Sequence, residues 1–124
     1  ALVNQMKSIP DEQFKTMQKQ GMATMVQDTS KLNLIVDWSM KSDRSTIGKM
    51  FCDFSNTDLR EEIKSIQCPS LILLESSFKQ IKPAIEQQYA NLKSADLRYA
   101  DNSLHFIMYD AKDWYLQQIQ SFLK

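Results

Sequence analysis

The chain has 124 residues, of which 43% are hydrophobic and 24% charged, a composition typical of one soluble globular domain. Fifteen basic residues balance fifteen acidic ones, and a net charge of zero argues against a protein that binds nucleic acid through its phosphates. One histidine and two cysteines exclude a zinc site built on those two ligand types alone. Two glycines are too few for the turns that cradle phosphates or carry a nucleophilic serine.

The same sequence predicts a cytoplasmic protein. The longest apolar runs, residues 34–36 and 71–74, are far too short to cross a bilayer, and no signal-peptide pattern is visible. Cys52 and Cys68 are too few for a disulfide framework and are typical of reduced thiols. We therefore expect no membrane or nucleic-acid partner, no metal and no cofactor.

Residues 1–57 are predicted to be helical, because their apolar residues recur three or four positions apart. One helix is expected to begin near Ser8, a second near Thr29, and a third after the capping pair Ser42 and Asp43. The predicted buried faces, in chain order, are Phe14, Met17, Gly21 and Met25; then Leu32, Ile35, Val36 and Met40; then Ile47, Met50, Phe51 and Phe54.

The period changes near Pro69, where helical spacing gives way to a continuous apolar run. The predicted elements beyond residue 57 are a short helix at 57–66, a fully buried strand at 70–75, a helix at 81–92, a strand at 96–100 and a helix from about 110. The two strands should be parallel, because the connection between them contains a helix. The predicted fold class is α/β, with a helical part followed by strand–helix–strand–helix.

A parallel sheet of two strands is seldom stable alone. We therefore expect the two strands to belong to a larger α/β sheet. Without a neighbouring strand, the exposed edge of strand 70–75 is expected to pair with a second copy of the chain.

Four segments follow one another as they do near the C-terminus of α/β-hydrolase-fold enzymes: Asp58-Leu59-Arg60, the proline-led strand at 68–74, the pair His105-Phe106, and Phe122-Leu123 near the end of the closing helix. The chain resembles the C-terminal portion of that family. The resemblance implies that residues 1–57 are a helical cap and that residues 58–124 are the C-terminal part of the core. It also implies that the nucleophilic serine and the oxyanion hole lie in an N-terminal half of the same fold, outside this chain.

The resemblance assigns the catalytic histidine to His105, which would act as the general base. Two positions depart from the family pattern: Leu104 replaces the usual glycine before the histidine, and Phe78 occupies the usual aspartate position. Glu75, at the end of the first strand, is then the nearest acid that could orient the imidazole, while Asp101 is a poorer candidate. The residues expected to contact a small-molecule substrate are Trp38, Met40, Phe51 and Phe106, although such side chains are also typical of an ordinary core.

The resulting hypothesis is a hydrolase of ester or amide bonds, of which this chain is an inactive part when alone. Two alternatives remain open. The first is a binding or interaction protein that kept the hydrolase fold and lost its triad, which the altered acid position favours. The second is a free-standing helical interaction domain unrelated to hydrolases.

Overall fold

The structure is a computed structural model that describes the backbone of residues 2–124 and the side chains of residues 3–124. The chain divides into two compact units. One, the helical unit, comprises Ala1–Thr24 and Asp28–Thr57. The other, the sheet unit, comprises Met25–Gln27 and Asp58–Lys124.

The helical unit contains four α-helices. They are α1 (Leu2–Ser8), α2 (Asp11–Ala23), α3 (Leu32–Lys41) and α4 (Arg44–Asn56), with a 3-10 turn at Thr29–Lys31 before α3. Helix α1 packs on α4, and α2 packs on α3. Asp43 caps α4 by accepting a hydrogen bond from the Thr46 N–H at 2.8 Å, as its place before the helical period predicts.

The helices predicted near Ser8, Thr29 and Ser42 are confirmed as α2, α3 and α4, with two corrections. An additional helix, α1, precedes Ser8, and α2 ends at Ala23, so that Met25 lies outside it. The short helix predicted at 57–66 is wrong, because only the 3-10 turn Glu62–Ser65 forms there.

The core of the helical unit is small. Its fully or nearly buried apolar side chains are Met6, Phe14, Ile35 and Val36. The guanidinium of Arg44 lies over the Phe14 ring at 4.3 Å and donates to the Ile9 carbonyl at 2.5 Å. This arrangement holds the start of α4 against the segment that joins α1 and α2.

The buried face predicted for α4 is wrong. Met50 and Phe54, which the helical period places on that face, are 65% and 81% exposed. Gly48 is buried instead, and a Cβ at this position would lie 3.1 Å from the Cα of Val3. Helix α1 therefore contacts α4 at Gly48, while Met50 and Phe54 of α4 stay exposed.

Replacing each of the two glycines by a larger residue is expected to change the free energy of unfolding in opposite directions. Gly21 lies inside α2, and no described residue beyond the local helix backbone would come within 4 Å of a Cβ at this position. Gly21→Ala should therefore raise the free energy of unfolding by about 0.5–1 kcal/mol through helix propensity. Gly48→Leu should lower it by about 1–3 kcal/mol, because the side chain would push α1 away. Urea denaturation of both variants checks this contrast, and equal shifts would show that α1 does not pack closely on Gly48.

The sheet unit is built on two parallel strands, β1 (Ser70–Leu74) and β2 (Ala95–Tyr99). Their register runs from Ser70 opposite Ala95 to Leu74 opposite Tyr99. The strand positions and their parallel direction confirm the sequence prediction, and the α/β class holds at this coarse level. The remaining elements are a 3-10 turn at Ser76–Ile81, α5 (Lys82–Gln88), α6 (Ile107–Asp110) and α7 (Lys112–Phe122).

Burial in the sheet unit is incomplete. The apolar run in β1 predicts a fully buried strand, but only Leu74 is buried, and the other four residues of β1 are half-buried. All five residues of β2 are half-buried as well. The buried apolar residues in and after the strands are Leu74, Leu92, Ala100 and Ile107. In the described part of the chain, no helix has the length and apolar character needed to cross a membrane.

Candidate functional site

The predicted catalytic residues fall at the carboxyl edge of the parallel pair. The ladder ends where the Ala100 N–H donates to the Leu74 carbonyl at 2.9 Å. Just beyond, the Oγ of Ser76 donates to the carbonyl of Ser103 at 2.6 Å, which ties together the two loops that leave the strands. Glu75 directly precedes Ser76, and His105 lies two residues after Ser103. In open α/β sheets this edge is where ligands bind.

His105 is exposed at this edge. Its ring meets that of Phe106 edge to face, with centroids 5.5 Å apart and an angle of 87° between the planes. Within residues 2–124, no hydrogen bond or ion pair reaches the imidazole. The His105 ring is therefore exposed, and no carboxylate of the described residues orients it.

Glu75 lies between the last residue of β1 and the 3-10 turn Ser76–Ile81, which contains Phe78. The residue is half-buried, and its carboxylate accepts an exposed hydrogen bond from the hydroxyl of Ser77. The structure thus brings Glu75 and His105 to the same edge of the sheet but gives Glu75 a different partner. Its role as the triad acid stays a prediction.

Asp101, the poorer candidate acid, binds a residue of the other loop. Its carboxylate is hydrogen-bonded and ion-paired with the ammonium of Lys79, and this partner lowers the pKa of Asp101 below its usual range. Asp101 stays ionised in this pair and adds a second link between the loops. Since its side chain is 93% exposed, the pair contributes little to stability.

The loop that carries His105 is anchored by a residue that the sequence analysis did not single out. Asp110 accepts a hydrogen bond from the Leu104 N–H through Oδ2 and one from the Gln27 N–H through Oδ1, both at 2.9 Å. Beside these contacts, the Phe106 N–H donates to the Met25 carbonyl at 3.1 Å. The backbone is therefore held immediately before and after His105. Because the partner segment lies about eighty positions earlier in the chain, no local pattern could have revealed this contact.

Tyr99 ends β2 with its hydroxyl buried and without a hydrogen-bond partner among the described residues. Burial raises the pKa of Tyr99, and Glu86 and Tyr89 raise it further. The folded state thus favours the neutral phenol, so its contribution to stability is full below the unfolded pKa of about 10 and is lost as the pH rises above it. Above Tyr99, the ammonium of Lys82 lies 5.8 Å from the centre of the ring.

The substrate contacts predicted in residues 1–57 lie on two helices of the helical unit. Trp38 and Met40 lie on α3, where Trp38 is 46% exposed and Met40 is half-buried. Phe51 lies on α4, is 55% exposed and lines a cavity of about 610 Å³ within the helical unit. Neither Trp38 nor Met40 lines that cavity. Over the part of the chain that the structure describes, no three His, Cys, Asp or Glu side chains are grouped so as to hold a metal ion.

No protein-family model, no curated protein and no solved structure matches this chain. The architecture alone places the chain in the mixed α/β class of folds, and its described strands form one parallel pair.

Replacing each of the two linked serines by alanine is expected to change the free energy of unfolding in opposite directions. Ser103 is fully buried, and its Oγ has no partner in the described part of the chain, so Ser103→Ala should raise the free energy of unfolding by about 1 kcal/mol. Ser76→Ala removes the 2.6 Å hydrogen bond to the Ser103 carbonyl and should lower it by about 1 kcal/mol. Urea midpoints measured side by side test the pair. A loss of stability in both variants would mean that the Ser103 hydroxyl has a partner.

Proposed function

We propose that this chain carries the general base, His105, of an α/β-hydrolase-type active site that cleaves an ester or amide bond. The observation that carries the proposal is the position of His105, on a loop at the carboxyl edge of a parallel strand pair and directly before the closing helices. A catalytic histidine of that fold occupies this kind of position. In the proposal, the nucleophilic serine and the oxyanion hole come from the N-terminal half of the same fold.

The chemistry assigned to His105 is proton transfer. The imidazole takes the proton from the serine hydroxyl as that oxygen attacks the substrate carbonyl, and then returns the proton to the leaving group. An exposed ring suits this role, because a serine on another part of the fold must reach it. The anchors on either side of His105 favour it too, since a general base needs a fixed backbone. Glu75 is the acid proposed to orient the ring, after its carboxylate turns from Ser77.

The other partners follow from the same proposal. The half-buried apolar residues of β1 would be covered by a neighbouring strand from the N-terminal half, and without it that edge would pair with a second copy. The helical unit would act as a cap, with Trp38, Met40 and Phe51 shaping substrate access, and Phe106 would contact the substrate beside His105. The chain alone would be inactive, since it has no nucleophile-bearing turn.

The first test is to search the gene upstream of residue 1 for a G-x-S-x-G sequence. If it is present, the joined protein should react with a fluorophosphonate, and His105→Ala should slow that reaction at least about a hundredfold. Asp101→Asn is the matched control at the same edge and should leave the labelling rate nearly unchanged. Glu75→Gln should slow labelling only if Glu75 orients the imidazole.

An absent G-x-S-x-G sequence, or labelling that ignores His105, would overturn the hydrolase proposal. The second candidate would then be a binding protein that has lost its triad. A specific feature favours it, namely that the usual aspartate position is taken by Phe78, a half-buried apolar side chain in the turn after β1.

A further inference from the structure

The helical unit has a cavity of its own, formed by residues of α1, α2, α4 and the α1–α2 connection. Its volume of about 610 Å³ lies within the range of roughly 300–1,000 Å³ that small-molecule sites occupy. The apolar lining residues are Met6, Ile9, Phe14, Met17 and Phe51. Met6 and Phe14 are buried, whereas Met17 and Phe51 are about half exposed. An apolar ligand would therefore remove exposed apolar surface from water, which is the main source of affinity in such sites.

The lining carries no charged side chain. The guanidinium of Arg44 stacks on the ring of Phe14, one of the lining residues, and is already paired with Asp11 at 2.5 Å. A charged ligand would therefore lose its hydration without gaining a counter-ion in the cavity. This feature favours a neutral ligand over a carboxylate or an amine.

Polar groups at the cavity can still bind one polar atom of a ligand. The side-chain amides of Gln5 and Gln18 line it and make no hydrogen bond to any residue that the structure describes. Ser55 and Asn56 also line it, but their side chains already donate to carbonyls within α4. The free amides provide both a donor and an acceptor for a hydroxyl or ester group.

We propose that this cavity binds an uncharged alkyl or acyl compound, with its chain on the methionine and phenylalanine side chains and its polar group at Gln5 or Gln18. Methionine suits this ligand class, because its flexible thioether side chain adapts to chains of different shape. The proposal concerns the helical unit alone and does not depend on hydrolase activity.

The two cysteines allow a test with an internal control. Cys52 lines the cavity, whereas Cys68 lies in the sheet unit, and both thiols are exposed. We would measure iodoacetamide alkylation of each thiol by mass spectrometry while 1-decanol is titrated into the chain below its solubility limit. Alkylation of Cys52 should slow saturably, by about tenfold when the ligand is at ten times its Kd, and alkylation of Cys68 should not change. Decanoate, which has the same chain length and a charge, should protect Cys52 at least about tenfold less well.

Two substitutions on one helix separate binding in the cavity from adsorption to apolar surface. Phe51→Lys places a charge in the lining and should abolish protection of Cys52. Phe54→Lys, one turn later at a side chain that is 81% exposed and does not line the cavity, should leave protection intact. Equal protection of both thiols, equal protection by decanoate, or loss in both variants would overturn the proposal. It would also be overturned if Cys52 became protected on raising the protein concentration without decanol, because a second copy would then occupy the site.

Discussion

Replacing Phe14 by alanine is expected to lower the free energy of unfolding by about 3–5 kcal/mol, the range typical of a deleted core phenylalanine. Phe14 is the largest fully buried side chain, at 1% exposure. Its ring lines the cavity of the helical unit, and the guanidinium of Arg44 stacks on it. The substitution therefore removes apolar burial and also the surface on which Arg44 lies.

The measurement is urea denaturation followed by circular dichroism at several protein concentrations. Phe54→Ala is the matched control, since the same side chain is deleted from a position that is 81% exposed, and its expected effect is within about 0.5 kcal/mol. Equal losses in the two variants would mean that the apolar face of α4 is covered in solution, by a second copy or by other contacts. A small loss in Phe14→Ala would mean that its ring is not a core residue.

Helical periodicity predicted which residues share a face but not which face is covered. In α2 the pattern placed Phe14 correctly in the core. In α4 the same pattern selected Met50 and Phe54, yet α1 packs against Gly48. A glycine contributes nothing to a hydrophobic pattern, but it allows two helix backbones to approach closely. Which face of the helix is covered depends on tertiary packing, and local periodicity carries no information about it.

The strands were predictable for a different reason. A short apolar run after Pro69 and a helical connection of about twenty residues leave few alternatives to a parallel pair, and β1 and β2 have that arrangement. Burial was not predictable, because it depends on neighbours that cover the strands. The run in β1 indicates full burial, while four of its five residues are only half-buried. This difference is consistent with the proposal that the sheet continues into another part of a hydrolase fold.

The sequence allowed the place of His105 in the fold to be predicted, but not the contacts that anchor its loop. The edge that holds His105 follows from the order of strands and loops. The anchors of that loop do not, because Asp110 binds Gln27 at a separation of 83 residues. Likewise, the serine link between the two loops joins positions 27 residues apart and has no local motif. Contacts of this kind are set by how distant segments meet and carry no periodic pattern.

Replacing Asp110 by asparagine is expected to lower the free energy of unfolding by about 2–4 kcal/mol. Each carboxylate oxygen accepts one backbone N–H, from Leu104 and from Gln27, and hydrogen bonds to a charged group contribute about 1.5–3 kcal/mol each. Asparagine retains a single acceptor oxygen and turns its amide group toward the other N–H donor. One backbone N–H would then lose its partner and the other would lose a charged acceptor.

The control is Asp113→Asn in the first turn of α7, where the acid only complements the helix dipole, and its expected cost is below about 1 kcal/mol. Amide hydrogen exchange distinguishes an anchor from general destabilisation. In Asp110→Asn, the Leu104 and Gln27 N–H groups should exchange faster than the amides paired between β1 and β2. A uniform increase across the chain would contradict the anchoring role. If the hydrolase proposal holds, the same variant should also lower kcat, because a loosened loop misplaces His105 in the transition state.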